Sequence, residues 1–184
     1  MTAPPHHRLP GDPAPADEIA RMLRVDHAGE FGAVRIYEGQ LAVLGRAGRT
    51  SAEIRRMAAA ERRHLERFEA LLNERRVRPT LLSPLWSVAG YALGAATALM
   101  GGRAAMACTV AVEEVIDAHY EAQAAYLAEA DPALREPILA FRADELAHRD
   151  TALAFGAKEA PGYEVLTAAV KAGSRLAIWL STRL

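Results

Sequence analysis

The sequence carries one cysteine, Cys108, in 184 residues. A lone thiol excludes an internal disulfide framework, a cysteine-based zinc site and a protein-ligated iron–sulfur cluster. Nothing in the chain demands an oxidising compartment. Cys108 reads as a packed core thiol, since no neighbour in sequence would activate it. Excess charge of one sign is also missing, with 22 Lys+Arg against 23 Asp+Glu and a net charge of −1. A nucleic-acid partner held by a basic surface is therefore not expected. Aromatics make up only 6%, and no stretch alternates with period two long enough for a strand. A Gly-x-Gly-x-x-Gly loop is absent as well, so a nicotinamide cofactor would have to bind without a recognisable domain. What the chain does have is 51% hydrophobic residues, rich in alanine, which suits long helices around a sizeable core. The length fits one domain.

Residues 1–17 hold Pro4, Pro5, Pro10, Pro13 and Pro15 around His6 and His7. Without an apolar run this stretch is no secretory signal. It is expected to be a disordered tail with a solvated histidine pair, ahead of a single domain over 18–184. Helical periodicity then predicts segments at about 17–45, 53–77, 84–100, 103–130 and 133–156, and a last helix after Pro161-Gly162. Thr50 or Ser51 is the expected cap of the second, and Gly156 a C-terminal stop for the fifth. The fold class is all-α, a helix bundle.

Residues 79–102 contain no Asp, Glu, Lys or Arg. That length is within range of a bilayer span. Pro84, Ser87 and Thr97 make the stretch only mildly hydrophobic, so a helix in the membrane interface or one buried in the core fits at least as well. Gly90 and Gly94 have the spacing that lets helices approach closely. The C-terminal helix sets Leu176, Ile178, Trp179 and Leu180 beside Lys171, Arg175 and Arg183, a mixture suited to an anionic interface. With Leu85, Trp86, Val88, Tyr91, Leu93 and Leu99 of the charge-free stretch, these residues form the expected lipid-facing set.

The chain also repeats itself. Glu61-x-x-His64 and Glu145-x-x-His148 match, and Glu30 and Glu113 precede them by 31 and 32 residues. Tyr37, Glu38 and Gln40 follow Glu30 at the offsets at which Tyr120, Glu121 and Gln123 follow Glu113. A glutamate and a histidine three apart share one helix face. Four such helices would gather Glu30, Glu61, His64, Glu113, Glu145 and His148 at the bundle centre, the ligand set of ferritin-like di-metal carboxylate proteins. Four carboxylates balance two divalent cations, and oxygen plus imidazole donors favour iron or manganese. One Glu-x-x-His arises easily by chance on an exposed face; two in register with two leading glutamates do not.

Around this set the reading is more open. Glu114 competes with Glu113, although the register with Glu30 favours Glu113. His119 and Tyr120 are candidates for hydrogen bonds to the ligands, with a packed core histidine as the alternative for His119. Asp26 is placed to orient an imidazole, or it and His27 simply cap or face solvent.

Asp26-His27-Ala28-Gly29-Glu30, the Glu61/His64 helix, Cys108-Thr109-Val110-Ala111-Val112-Glu113-Glu114, Glu145/His148 and the closing Arg175-Leu176-Ala177-Ile178-Trp179-Leu180-Ser181 resemble the demethoxyubiquinone hydroxylase family. The resemblance covers about residues 20–184, with all six ligand positions filled. It implies a ferritin-like four-helix bundle with additional apolar helices at the membrane interface. It implies two iron ions per chain, with Glu61 and Glu145 bridging, and O₂ as co-substrate. NADH or the quinol itself would be the electron source, and the ring of a 2-polyprenyl-3-methyl-6-methoxy-1,4-benzoquinol the substrate. It further implies a peripheral protein on the cytoplasmic side of the cell membrane and, in some members, a lipid-binding accessory protein. A ferroxidase or manganese catalase would share the ligands, and a non-catalytic quinone- or lipid-binding bundle could carry them as structural groups.

Overall fold

The computed structural model describes residues 13–45 and 47–184. Most of the expected N-terminal tail, including His6 and His7, lies outside them. Among these residues six helices form, α1 (Pro15–Leu44), α2 (Arg49–Arg75), α3 (Ser83–Leu99), α4 (Gly102–Ala130), α5 (Pro132–Ala154) and α6 (Tyr163–Ser181). A short 3₁₀ turn, Ala157–Glu159, precedes α6, and there is no strand among the described residues.

The helix ends follow local chemistry. Pro15 at the first turn opens α1 two residues ahead of Asp17, where a fixed φ and a missing N–H cost nothing. The expected cap of α2 is corrected: the cap is Gly48, at φ 100°, and Thr50 and Ser51 lie inside the helix. The chain leaves the α1–α2 turn in a left-handed conformation that glycine alone adopts freely, so the turn decides the start. Asp131 both ends α4 and caps α5, its Oδ1 accepting from the Leu134 amide at 3.0 Å. Gly156 adopts a positive φ of 82° just beyond α5, as expected of a stop.

Two core clusters fix how the helices run. One joins Leu23 of α1, Phe68 and Leu72 of α2, Leu127 of α4 and Ile138 of α5. The other joins Tyr37, Ile54, Met57, Met106, Val110 and Ala152 of the same four helices. The early residues of α1 thus meet the late residues of α2 and α4 and the early residues of α5. Neighbours are antiparallel, and Glu30, Glu61, Glu113 and Glu145 all fall between the two apolar layers. These layers shield the middle from water.

Helix α3 lies against the outside of α1. A Cβ on Gly94 would overlap the Ile36 carbonyl, and one on Gly39 the Tyr91 carbonyl, so the two backbones touch at glycine. No helix among the described residues is long and apolar enough to cross a membrane. The outer side of α3 remains apolar and exposed at Leu85, Val88, Tyr91 and Leu99, and α6 adds Leu176 and Trp179. Trp86, Leu93 and Ile178 depart from the lipid-facing set. They line a cavity between α1, α3, α4 and α6, and the Trp86 indole N–H donates to Ser181 Oγ at 3.0 Å.

Candidate metal centre

Each sequence-predicted site residue arrives at the middle of the four antiparallel helices. Glu30 comes from α1, Glu61 and His64 from α2, Glu113 from α4, and Glu145 and His148 from α5. All six are buried. Their donor atoms form two groups, Glu30/Glu61/His64/Glu145 and Glu61/Glu113/Glu145/His148, each with its atoms within 4.8 Å of one another. Glu61 and Glu145 belong to both.

That sharing is visible atom by atom. Glu145 turns one oxygen to each imidazole, Oε1 at 3.1 Å from His64 Nδ1 and Oε2 at 3.0 Å from His148 Nδ1. Glu61 spans the same gap, with Oε1 2.9 Å from His148 Nδ1 and Oε2 3.8 Å from His64 Nδ1. Glu61 Oε1 nonetheless has no aligned hydrogen-bond donor, and neither has Glu30 Oε2. Buried carboxylate oxygens without donors are costly unless a cation neutralises them. Four converging carboxylates and two imidazole nitrogens, with Glu61 Oε1 and Glu30 Oε2 left without donors, fit a pair of divalent metal ions.

The outer glutamates are held by tyrosines from the opposite half of the repeat. The Tyr37 hydroxyl donates to Glu113 Oε1 at 3.0 Å, and the Tyr120 hydroxyl donates to Glu30 Oε1. The shared offset of both tyrosines from a leading glutamate was the sequence signal for this. It flagged Tyr120 but not Tyr37, because the partner is the glutamate of the other repeat. His64 is fixed from outside by Asp144, whose Oδ2 lies 3.0 Å from Nε2. This leaves Nδ1 facing the centre, a carboxylate–histidine arrangement that sets the tautomer of a ligand. Asp144 was not singled out from sequence, as an aspartate on a charged helix gives no signal by itself.

The remaining candidates sort out differently. Glu114 turns away and pairs with Lys171 of α6. His119 does not reach a ligand; its Nε2 sits 3.2 Å from Asp26 Oδ1 and 2.9 Å from Gln123 Nε2. Asp26 therefore orients an imidazole, that of His119. His27 is buried outside the cluster with no partner for Nδ1. Cys108 is a fully buried thiol that burial pushes up to about 12.

Burial also governs the charge of the centre. It raises Glu30, with Glu145 adding to the rise and hydrogen bonds with His64 and Glu61 opposing it, and it raises Glu61 and Glu113 well above the usual carboxylate range, where the neighbouring glutamates add to the rise. Burial would raise Glu145 too, but hydrogen bonds from His148 and His64 outweigh it and bring that carboxyl down to about 2. For His64, burial lowers the pKa, yet Glu145 and Glu30 outweigh it and lift the imidazole to about 10. Without a cation, the cluster stays together only by holding protons.

A cavity of about 390 Å³ opens beside the cluster, lined mainly by apolar side chains including Val25, Trp86, Leu93, Ile116 and Ile178. A neck of about 10 Å³, walled by Ala33, Ile36, Tyr37, Thr109, Val112 and Glu113, adjoins it, sharing Ala33, Ile36 and Val112 with its wall and touching one glutamate of the cluster, Glu113. The neck has room for about one water molecule.

Comparison with known proteins points the same way. The family described as ubiquinone biosynthesis protein COQ7 matches residues 17–181. The chain is 57% identical over 176 residues to a Rhodospirillum rubrum protein named 3-demethoxyubiquinol 3-hydroxylase, covering 96% of this chain and 83% of that one. It is 52% identical over 170 residues to a human protein named NADPH-dependent 3-demethoxyubiquinone 3-hydroxylase, mitochondrial, with 90% and 78% covered. It is 41% identical over 187 residues to a Saccharomyces cerevisiae protein named 5-demethoxyubiquinone hydroxylase, mitochondrial, with 93% and 80% covered.

Proposed function

This chain belongs to the ubiquinone biosynthesis protein COQ7 family, and from that membership we propose that it hydroxylates the ring of a demethoxyubiquinol at a di-iron centre. The fold would be the ferritin-like bundle. Glu30, Glu61, His64, Glu113, Glu145 and His148 would hold the two irons. The observation that carries this reading is the membership of Glu61 and Glu145 in both donor groups, as a donor set shared by two ions would require. Bound iron would supply the activation of O₂.

The chain's own residues do the rest. The two apolar core layers exclude bulk water from the centre, so reactive oxygen is not lost to side reactions. Tyr37 and Tyr120 hold Glu113 and Glu30 by hydrogen bonds, and Asp144 keeps the His64 Nδ1 aimed inward. The cavity suits an aromatic ring with an isoprenoid tail, because its walls are almost wholly apolar. Its flanks, α3 and α6, carry the exposed apolar side chains, which supports a peripheral place at a membrane surface, where a polyprenyl quinol resides. NADPH, which appears in the names of relatives, NADH or the quinol would return the electrons. A ferroxidase or catalase needs no such cavity.

The reading is tested by supplying isotope-labelled O₂ and a short-tailed demethoxyquinol to the iron-loaded protein. One labelled oxygen atom in the ring hydroxyl of the product is expected. Oxygen consumption without a hydroxylated ring would overturn it.

A further inference from the structure

The walls of the neck raise a question of orientation. Ala33, Ile36 and Val112 are apolar, so they cannot tell one rotation of a disc-shaped ring from another. Polar groups placed in an apolar site do that work. Glu113 is taken up by the cluster. The Tyr37 hydroxyl is committed to Glu113 Oε1 at 3.0 Å. Thr109 is the remaining polar side chain of the neck, one turn before Glu113 on α4 and buried. Its hydroxyl reaches only the Ala105 carbonyl, at 3.4 Å, a distance too long for a strong bond. That carbonyl already accepts from Gln40 Nε2 at 3.1 Å. Both lone pairs of the Thr109 oxygen are thus open, and the hydrogen bond it makes is easily given up. The larger cavity adds Ser181, tied to the Trp86 indole, and Ser174, both on α6, a helix that carries none of the clustered glutamates.

We propose that Thr109 is a positioning residue for the substrate: with the ring held in the larger cavity, a ring hydroxyl, which is the size of a water molecule, reaches into the neck and donates a hydrogen bond to the Thr109 oxygen, so that one ring edge faces the cluster. The proposal rests on the hydroxylase reading above. It requires no chemistry from Thr109 itself: the ring hydroxyl donates, the threonine oxygen accepts, and the rotation of the ring is set. Without this bond the ring would still be bound by apolar contact, but it would present the reacting carbon less often.

The test compares Thr109→Val, which keeps the shape and removes the hydroxyl, with Thr109→Ser, which keeps the hydroxyl and removes the methyl. Both are assayed as iron-loaded protein with a short-tailed demethoxyquinol. Losing one net hydrogen bond should lower kcat/KM of Thr109→Val by about 3- to 10-fold. With NADH or excess quinol supplying the electrons, a larger share of the O₂ consumed by Thr109→Val should be released as hydrogen peroxide in place of entering the ring hydroxyl and water. Iron content and Tm should match the parent, and Thr109→Ser should restore coupling. Unaltered kcat/KM and coupling in Thr109→Val would overturn the proposal, as would a Thr109→Ser variant as uncoupled as the valine. A parent protein that leaves the quinol untouched would overturn the hydroxylase reading and this one together, whereas parental turnover with an indifferent valine variant removes this one alone.

Discussion

At the scale of single residues, protons would compete with the proposed metal ions for the same atoms. Glu30, Glu61 and Glu113 are raised chiefly by burial, and His64 is lifted to about 10 by Glu145 and Glu30. Groups whose folded pKa exceeds the unfolded value stabilise the fold at low pH and lose that contribution as pH rises through the folded value. Glu145, lowered to about 2, acts oppositely, but its window lies below the unfolded carboxyl value of about 4.3; His27, lowered by burial, also acts oppositely below about 6.5 and offsets part of the loss. The metal-free protein should therefore lose Tm as pH is raised from about 5 to about 8, while the iron-loaded protein should not; a metal-free Tm that climbs over this range would contradict the charge state assigned to the centre. Asp144 provides a second test. Asp144→Asn should weaken iron binding by about 10-fold or more without abolishing it, whereas exposed Glu66→Ala should bind iron as the parent does, both read by metal titration. The six converging side chains were legible from the repeat, because i and i+3 share a helix face whatever the loops do. The roles of Asp144 and Tyr37 were not, since both depend on which helix packs opposite, and spacing along one helix does not encode that.

At the scale of elements, the seam between α1 and α3 is set by Gly39, Gly90 and Gly94. Backbone atoms face each of these positions, so there is no flexible side chain to move aside. Gly94→Ala should cost about 1–3 kcal/mol from overpacking, a fall in Tm of about 2–12 °C. Gly32→Ala, with nothing near its Cβ position, should leave Tm unchanged or slightly raised. Equal Tm values for the two variants would mean that the seam is looser than described. The Gly90/Gly94 spacing was readable in the sequence, but its partner was not. Helix extents were legible to within a few residues, since Pro15, Asp131 and Gly156 act locally. The start of α2 was misread because Thr50 and Ser51 are good caps by residue type, while the left-handed turn at Gly48 commits the chain first.

At the scale of the whole molecule, the outer sides of α3 and α6 form an apolar face beside the cavity, the face proposed to meet lipid. Val88 and Leu99 are 69% and 76% exposed, so they are the proper targets, unlike cavity-lining Trp86 and Leu93. A charge costs roughly 2.5–3.5 kcal/mol deep in a bilayer, and less at the interface. Val88→Asp with Leu99→Asp should release the protein from anionic vesicles by an order of magnitude or more. Iron content and turnover of a short-tailed quinol should survive, and turnover of a long-tailed quinol in vesicles should fail. Unchanged vesicle binding would place the lipid contact elsewhere. The central claim, that one shared cluster holds two irons between Glu61 and Glu145, is tested most directly by anaerobic ferrous titration of the protein and of its Glu61→Ala and Glu145→Ala variants. Two irons per chain are expected, with both sites lost together in either variant, because each carboxylate serves both ions. Iron content unchanged by these substitutions, or a single site lost while the other stays intact, would contradict it.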